Sequence, residues 1–341
     1  MKKLILIITL CTLYSCVNNK KSIEEINVYT KRHYQTDKDL FKKFEIENNI
    51  KVNVVKASSD ELIERIKTEG NSCPADILIT VDAGKLYKAA SNNLLQKLDV
   101  DEINKNILPQ LKDKNGFWIP ITYRARVIVY NPKNVKKEEL LTYEDLINEK
   151  WKNRILVRSS TNAYNQALLS SILAYNGEEE SLKWANNLVT NFAREPKGND
   201  RDQVRAIVAG VGDLAIVNSY YIALLKTSED SLDRKVGESV QVFFPNQSEN
   251  NRGSHINISG IGLLKNSPNK RNALKLIKFL TSEYAQNYYT NNSYEYPVLS
   301  NVSPSNIISE WGDFKIDTLD LNELGINRKK AVDIFQKSKW N

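Results

Sequence analysis

Residues 26–80 read INVYTKRHYQTDKDLFKKFEIENNIKVNVVKASSDELIERIKTEGNSCPADILIT, and this stretch decides the fold. Residues 26–29 have the character of a strand, after which Thr36 or Asp37 is placed to cap a helix carrying Leu40, Phe41 and Phe44 at helical spacing. Residues 50–54 alternate at the strand period. Ser58 and Glu61 then form a capping box ahead of Leu62, Ile63 and Ile66, and Gly70 ends that helix. Residues 76–80 (DILIT) are a largely apolar strand, and Asp82-Ala83-Gly84 leads into another helix through Leu86 and Ala89. The order βαβαβα predicts a parallel sheet covered on both faces.

Further along, a second unit of the same kind begins. Residues 155–157 read as a strand, Tyr164 opens a helix built on Leu168, Leu169, Ile172 and Leu173, and a Trp184-bearing helix follows. Residues 213–217 (DLAIV) are a buried strand that runs straight into Asn218-Ser219-Tyr220-Tyr221. After them come a strand at 256–264 and a helix at 272–280. The chain has 341 residues, which at about 150 per domain fits two lobes. Residues 24–122 with 247–297 are expected to form the first and residues 123–246 with 298–341 the second, with crossings near 119–126 and 243–250. A last helix through Ala331, Ile334 and Phe335, with Trp311 and Trp340, is expected to cover one lobe. Two α/β lobes joined in this way place a ligand in the interlobe cleft, at the carboxyl ends of strands, with a hinge that closes over it.

The N-terminal residues belong to export. Lys2 and Lys3 precede an apolar run at 4–13 that is too short to span a bilayer, which takes about 20 residues. Leu13-Tyr14-Ser15-Cys16 resembles the lipobox of bacterial lipoproteins. That reading makes 1–15 a lipoprotein signal peptide, Cys16 the acylated residue and 16–23 a tether. The protein is then exported and lipid-anchored to the membrane, facing the periplasm or the cell exterior; an ordinary secretion signal is the alternative. Cys73 becomes the last side-chain thiol, a small buried or loop residue. The formal charge of +7 falls by two when Lys2 and Lys3 leave. The remaining lysines are scattered among acids, which excludes a nucleic-acid partner.

Tyrosine stands out in the composition. There are 16 tyrosines against 2 histidines, 1 methionine and 3 cysteines, so a metal site here has to be oxygen-rich. His33-Tyr34, Tyr164 and Tyr220-Tyr221 fall where strands give way to helices, the one place where neighbouring side chains can converge. Each taken alone is more often packing or stacking. Together they suit a hard trivalent cation, because three phenolates cancel its charge and four leave −1. Arg124, at the first crossing, is the candidate to balance that charge, with Arg126 on the same strand face; a hinge salt bridge is the other reading of both.

The stretches YTKRHYQTD (29–37), SCPADILITVDAG (72–84), YRARVIVYNP (123–132), SSTNAYNQ (159–166), NDRDQVRAI (199–207), NSYY (218–221) and RGSHINISGIG (252–262) resemble the bacterial ferric-iron-binding proteins of ABC importers, over nearly all of the chain to about Pro297. The resemblance implies a two-lobe periplasmic binding protein fold of type II closing on Fe³⁺. It implies Tyr34, Tyr164, Tyr220 and Tyr221 as phenolate ligands, His33 as a ligand or cleft residue, and Arg124 as the group that neutralises the site or holds a synergistic anion such as carbonate. A second cleft arginine follows the tyrosine pair in some relatives; here Ile222-Ala223-Leu224-Leu225 fills that region and the arginine is missing. A membrane permease is the implied partner, and the protein is expected to be a monomer without catalytic activity. His255 is expected outside the ligand shell, and Glu295 in ordinary loop packing.

The alternative within the same fold is an oxyanion or small organic ligand, held by Arg124 and stacked on by the tyrosines. An exported hydrolase is excluded on materials, since G-x-S-x-G, H-E-x-x-H and paired zinc-spaced histidines are all absent.

Overall fold

The structure is a computed structural model that describes residues 24–341. The signal peptide, Cys16 and the tether expected at 16–23 lie outside the described residues. Strands β1 (Glu24–Thr30), β2 (Ile50–Lys56) and β3 (Ile77–Thr80) are parallel, in the order β2-β1-β3. Their crossovers are α1 (Gln35–Asn48) and α2 (Ser59–Glu69), and α3 (Ala83–Ser91) follows β3. The Ser58 capping box forms as its spacing predicts, with Ser58 Oγ accepting from Glu61 N–H and the Glu61 carboxylate from Ser58 N–H. The start of α1 differs. Tyr34, not Thr36 or Asp37, is its N-cap, in extended conformation and without a side-chain cap. Asp37 is drawn inward instead by Arg32, whose Nε donates to it at 2.8 Å.

After α4 (Val100–Asn104) comes β4 (Ile119–Tyr130), twelve residues long and buried throughout. Its first half pairs antiparallel with β8, up to Ala125↔Ile256; from Arg126 it pairs with β6. Arg124 and Arg126 therefore flank the point where one strand changes partners. The second half contains β5 (Ile155–Leu156), α5 (Ala163–Thr190), α6 (Asp200–Val208), β6 (Leu214–Asn218), α7 (Tyr220–Lys226), α8 (Ser231–Glu238) and β7 (Gln241–Phe243). β5 and β6 are parallel, and β7 lies antiparallel against β4. Within α5, Gly177 takes φ 75° and breaks the helix into the two segments that the sequence predicts.

The chain returns through β8 (Ile256–Leu263), which closes the ladder between β3 and β4, and continues into α9 (Lys270–Leu280), α10 (Glu283–Asn292), α11 (Asn306–Ser309), α12 (Glu323–Ile326) and α13 (Arg328–Ser338). The order across the sheet is β2-β1-β3-β8-β4-β6-β5. Alternation along the strands sorts the core. Ile26, Val28, Ile77, Ile79, Val127, Val129, Ala215 and Val217 share one continuous cluster that runs through both halves. Tyr29 and Leu78 face a second, and Ile128, Tyr130, Leu214 and Ile216 a third that Trp184, Ile334, Phe335 and Trp340 complete. That last group places α13 and Trp340 over the half containing β6, whereas Trp311, expected with them, packs against the first cluster. Among the described residues no helix is long and apolar enough to cross a membrane.

Asp76 ties the first half together. Fully buried, it accepts from Asn27 N–H at 2.8 Å, Asn269 N–H at 2.6 Å and Ser267 Oγ at 2.7 Å, joining β1 to the turn before α9. Asp76→Ala leaves these donors unpaired and is expected to cost about 2–4 kcal/mol, read as a shift in the urea midpoint. A midpoint equal to wild type would remove this tie from the account of the fold.

Candidate functional site

Tyr34 lies between β1 and α1, Tyr164 in the first turn of α5, and Tyr220 and Tyr221 at the start of α7 directly after β6. They come together where the halves meet. The Tyr34 and Tyr220 hydroxyl oxygens stand 3.3 Å apart, and those of Tyr164 and Tyr220 3.4 Å apart. The Tyr221 ring lies against Tyr220 with centroids 4.2 Å apart. His33 is exposed, its ring 5.2 Å from that of Tyr34.

Separations of 3.3–3.4 Å are long for hydroxyl–hydroxyl hydrogen bonds, whose usual length is about 2.7–2.8 Å. They match two oxygens about 2 Å from one small hard cation, the bond length such ions take. The ring geometry agrees. Tyr34 and Tyr220 meet edge to face at 75°, so their hydroxyl tips converge and their faces do not form a slot.

The surroundings keep Tyr34, Tyr220 and Tyr221 neutral. Burial pushes the Tyr34 hydroxyl well above the ordinary phenol pKa of about 10, with Tyr164, Glu295 and Tyr221 adding to the rise and Arg32 opposing it. Tyr220 is raised in the same way by burial and by Tyr164, Tyr34 and Tyr221. Burial also raises Tyr221, with Tyr164 and Asp200 adding; a hydrogen bond with Tyr220 and the Arg158 charge oppose. Ionising several of them together needs a cation among them.

Four guanidiniums line this group. Arg124 lies 5.4 Å from the Tyr164 ring centre, Arg158 5.7 Å and Arg126 5.9 Å. One Arg124 nitrogen donates to the Val81 carbonyl, and its Nη1 is buried without a partner. Arg126 and Arg158 both pair with the fully buried Asp200, which also accepts from Asn218 N–H. On the other side, Arg32 lies 4.9 Å from the Tyr34 ring centre and donates to Asp37, Glu295 and Ser259.

One expectation is corrected here. Glu295 is not loop packing but a buried carboxylate on Arg32, at 2.9 Å. The arginine absent after the tyrosine pair stays absent, while Arg158, between β5 and α5, stands 5.7 Å from the Tyr164 ring centre. Sequence reading also passed over Arg32 and Asp200; the only signals were an arginine beside His33-Tyr34 and an aspartate in the NDRDQ stretch. Arg124 and Arg126 do share a face, lining one small gap with Tyr164, Asn218, His255 and Asn257. His255 is buried just ahead of β8, and burial with Arg252, Arg126, Arg124 and Arg328 nearby holds its imidazole neutral. Among the described residues no group of three or more His, Cys, Asp or Glu side chains is placed to hold a metal.

A cluster of oxygen donors between two α/β halves, at the carboxyl ends of strands, is the build of a solute-binding protein. The chain belongs to the bacterial extracellular solute-binding proteins, whose family model matches residues 39–316. It is 45% identical over 317 residues to iron uptake protein A1 of Synechocystis, covering 93% of this chain and 88% of that one. Trichodesmium FutA, in complex with iron and citrate ligands, superposes with a TM-score of 0.88 at 42% identity, over 93% of this chain and 100% of the other. The ferric binding protein of Campylobacter jejuni gives 0.87 at 40% identity, over 93% and 100%. These relatives are binding and uptake proteins, not enzymes.

Asp200→Ala strands two guanidiniums in the interior and is expected to destabilise the protein by about 3–5 kcal/mol in urea. Arg158→Gln should cost clearly less, since Arg126 still holds Asp200. Equal losses would show that the two arginines do not share the load.

Proposed function

We propose that the protein binds Fe³⁺ in the interlobe cleft through the phenolates of Tyr34, Tyr164, Tyr220 and Tyr221 and delivers it to an ABC-type permease. The observation that carries this reading is that the Tyr34 and Tyr164 hydroxyls, one from each half, lie 3.3 and 3.4 Å from the Tyr220 hydroxyl. His33, exposed beside the Tyr34 ring, is the nitrogen donor on that side of the site. Arg124 balances the charge, and its unpartnered Nη1 suits a small synergistic anion such as carbonate. The stacking alternative fits less well across the halves, because Tyr34 and Tyr220 meet edge to face and leave no slot between them. The moving bodies are residues 24–122 with 247–297 and residues 123–246 with 298–341. The protein works as an exported monomer held to the membrane by acylated Cys16, a reading supported by the Ser15-Cys16 pattern.

Titrating iron-free protein with chelated Fe³⁺ is expected to produce a visible phenolate-to-iron charge-transfer band at one iron per chain. A colourless endpoint would sink the proposal. Tyr220→Phe and Tyr221→Phe each remove one oxygen and little volume, so each should weaken iron retention while the urea midpoint holds; unchanged retention in both would make the pair mere packing.

The pH dependence has a definite sign. In the iron-free protein the Tyr34, Tyr220 and Tyr221 hydroxyls are protonated at neutrality, their pKa values raised, so binding expels protons. Affinity should therefore rise with pH, by about tenfold per unit for each proton released between about pH 6 and 8. A pH-independent competition constant against a chelator of known protonation would contradict phenolate ligation.

A further inference from the structure

Arg328, at the start of α13, has no part in the ligand set above, yet it spans the two halves. Its Nη2 donates to both oxygens of Asp82, at 2.8 and 2.9 Å. Its Nη1 donates to Gln166 Oε1 at 3.0 Å and to the Ala163 carbonyl at 3.4 Å, and Nε to the Leu324 carbonyl at 3.3 Å. Asp82 is the N-cap of α3 in the first half and only 1% exposed. Ala163 and Gln166 belong to the first turn of α5 and bracket Tyr164.

The contact is built from both sides. Asp82 is fixed by accepting from Lys85 N–H and from Asn257 Nδ2, and Asn257 in turn accepts from Ala83 N–H. A Cβ on Gly84 would stand 2.9 Å from Arg328 Nη2 and 2.8 Å from the Leu324 carbonyl, so only glycine lets α12 and the guanidinium come this close to α3. The Arg328 side chain is itself only 15% exposed, so water screens the ion pair little.

We propose that Arg328 is a positioning residue that clasps the two halves, holding the first turn of α5, and with it Tyr164, at a fixed distance from the first half. The clasp rests on the reading of Tyr164 as an iron-binding phenolate. Its planar fork suits the task, because one guanidinium nitrogen meets both oxygens of a carboxylate while a second reaches an amide and a backbone carbonyl. It controls how long the metal is held, not which atoms hold it.

The test uses the full-length, iron-loaded protein challenged with an excess of a competing chelator. Arg328→Gln and Asp82→Asn are each expected to speed iron loss on the order of ten- to a hundredfold, as removal of a group that orients a metal ligand does. The charge-transfer maximum should stay in place, since every phenol is retained. The double variant should lose iron no faster than the worse single one, because both remove one interaction. Gln166→Ala cuts only the arm to α5 and should also speed iron loss, which keeps the test open if Arg328→Gln fails to fold. Wild-type rates in Asp82→Asn and Gln166→Ala overturn the clasp, as does a shifted maximum. Tyr164→Phe separates the two readings. If it loses iron while the clasp variants do not, the clasp alone falls; if it keeps band and retention, the ligand reading falls and the clasp with it.

Discussion

Phenol oxygens crowded into a buried site cannot ionise together unless a positive charge stands among them, and most of what surrounds the four tyrosines follows from that constraint. Burial and mutual repulsion hold Tyr34, Tyr220 and Tyr221 protonated. A neutral hydroxyl is a weak donor to a cation; a phenolate is a strong one. On the proposed ligand set, such a site stays closed to monovalent and weakly charged ions, which return too little Coulomb energy to displace several protons, and opens to a small trivalent one. Selectivity is then a property of the proton equilibrium as much as of shape.

Position matters as much as charge, and the long strand β4 provides it. Because β4 pairs with β8 and then with β6 without a break, Arg124 and Arg126 sit beneath Tyr164 at the point where the halves meet. Tyr220 is placed just as firmly, since β6 is buried along its whole length and ends two residues before it. Tyr34 hangs from the other half, its ring against the Arg32 guanidinium that Asp37 and Glu295 hold. Each tyrosine is thus fixed within its own half, and the Tyr34 and Tyr164 hydroxyls reach that of Tyr220 where the halves meet.

The elements were legible in the sequence where the signal is local. The alternation at 50–54, the capping box at Ser58 and the apolar strands at 76–80 and 213–217 all form as their patterns predict. The tyrosine positions were legible too, because strand-to-helix junctions can be read from two neighbouring patterns. Partners far apart in the chain were not. Glu295 is 263 residues from the Arg32 it accepts from, and no local pattern announces such a pair. Asp37 shows the same limit in reverse. Locally it is a good helix cap, but an adjacent buried guanidinium is the stronger partner, and Tyr34 takes the cap position without capping anything. Arg158 was hidden for the same reason, since its partner Asp200 lies 42 residues further on.

The charges also divide unevenly between the halves, and that division bears on closure. In the half that carries Tyr164, Tyr220 and Tyr221, the guanidiniums of Arg124, Arg126 and Arg158 face one carboxylate, Asp200, an excess of two positive charges. In the half that carries Tyr34, Arg32 faces Asp37 and Glu295, an excess of one negative charge. On the proposed ligand set, three phenolates and a trivalent cation leave the first of these at plus two, while the Tyr34 phenolate takes the other to minus two. Loading therefore raises the attraction across the cleft without changing the side that carries the metal. The loaded site sums to zero when the halves meet, so closure itself completes the neutralisation. Protonating Tyr34 alone undoes half of that attraction and removes one donor, which makes the single tyrosine of the smaller ligand contingent the natural place for release to begin.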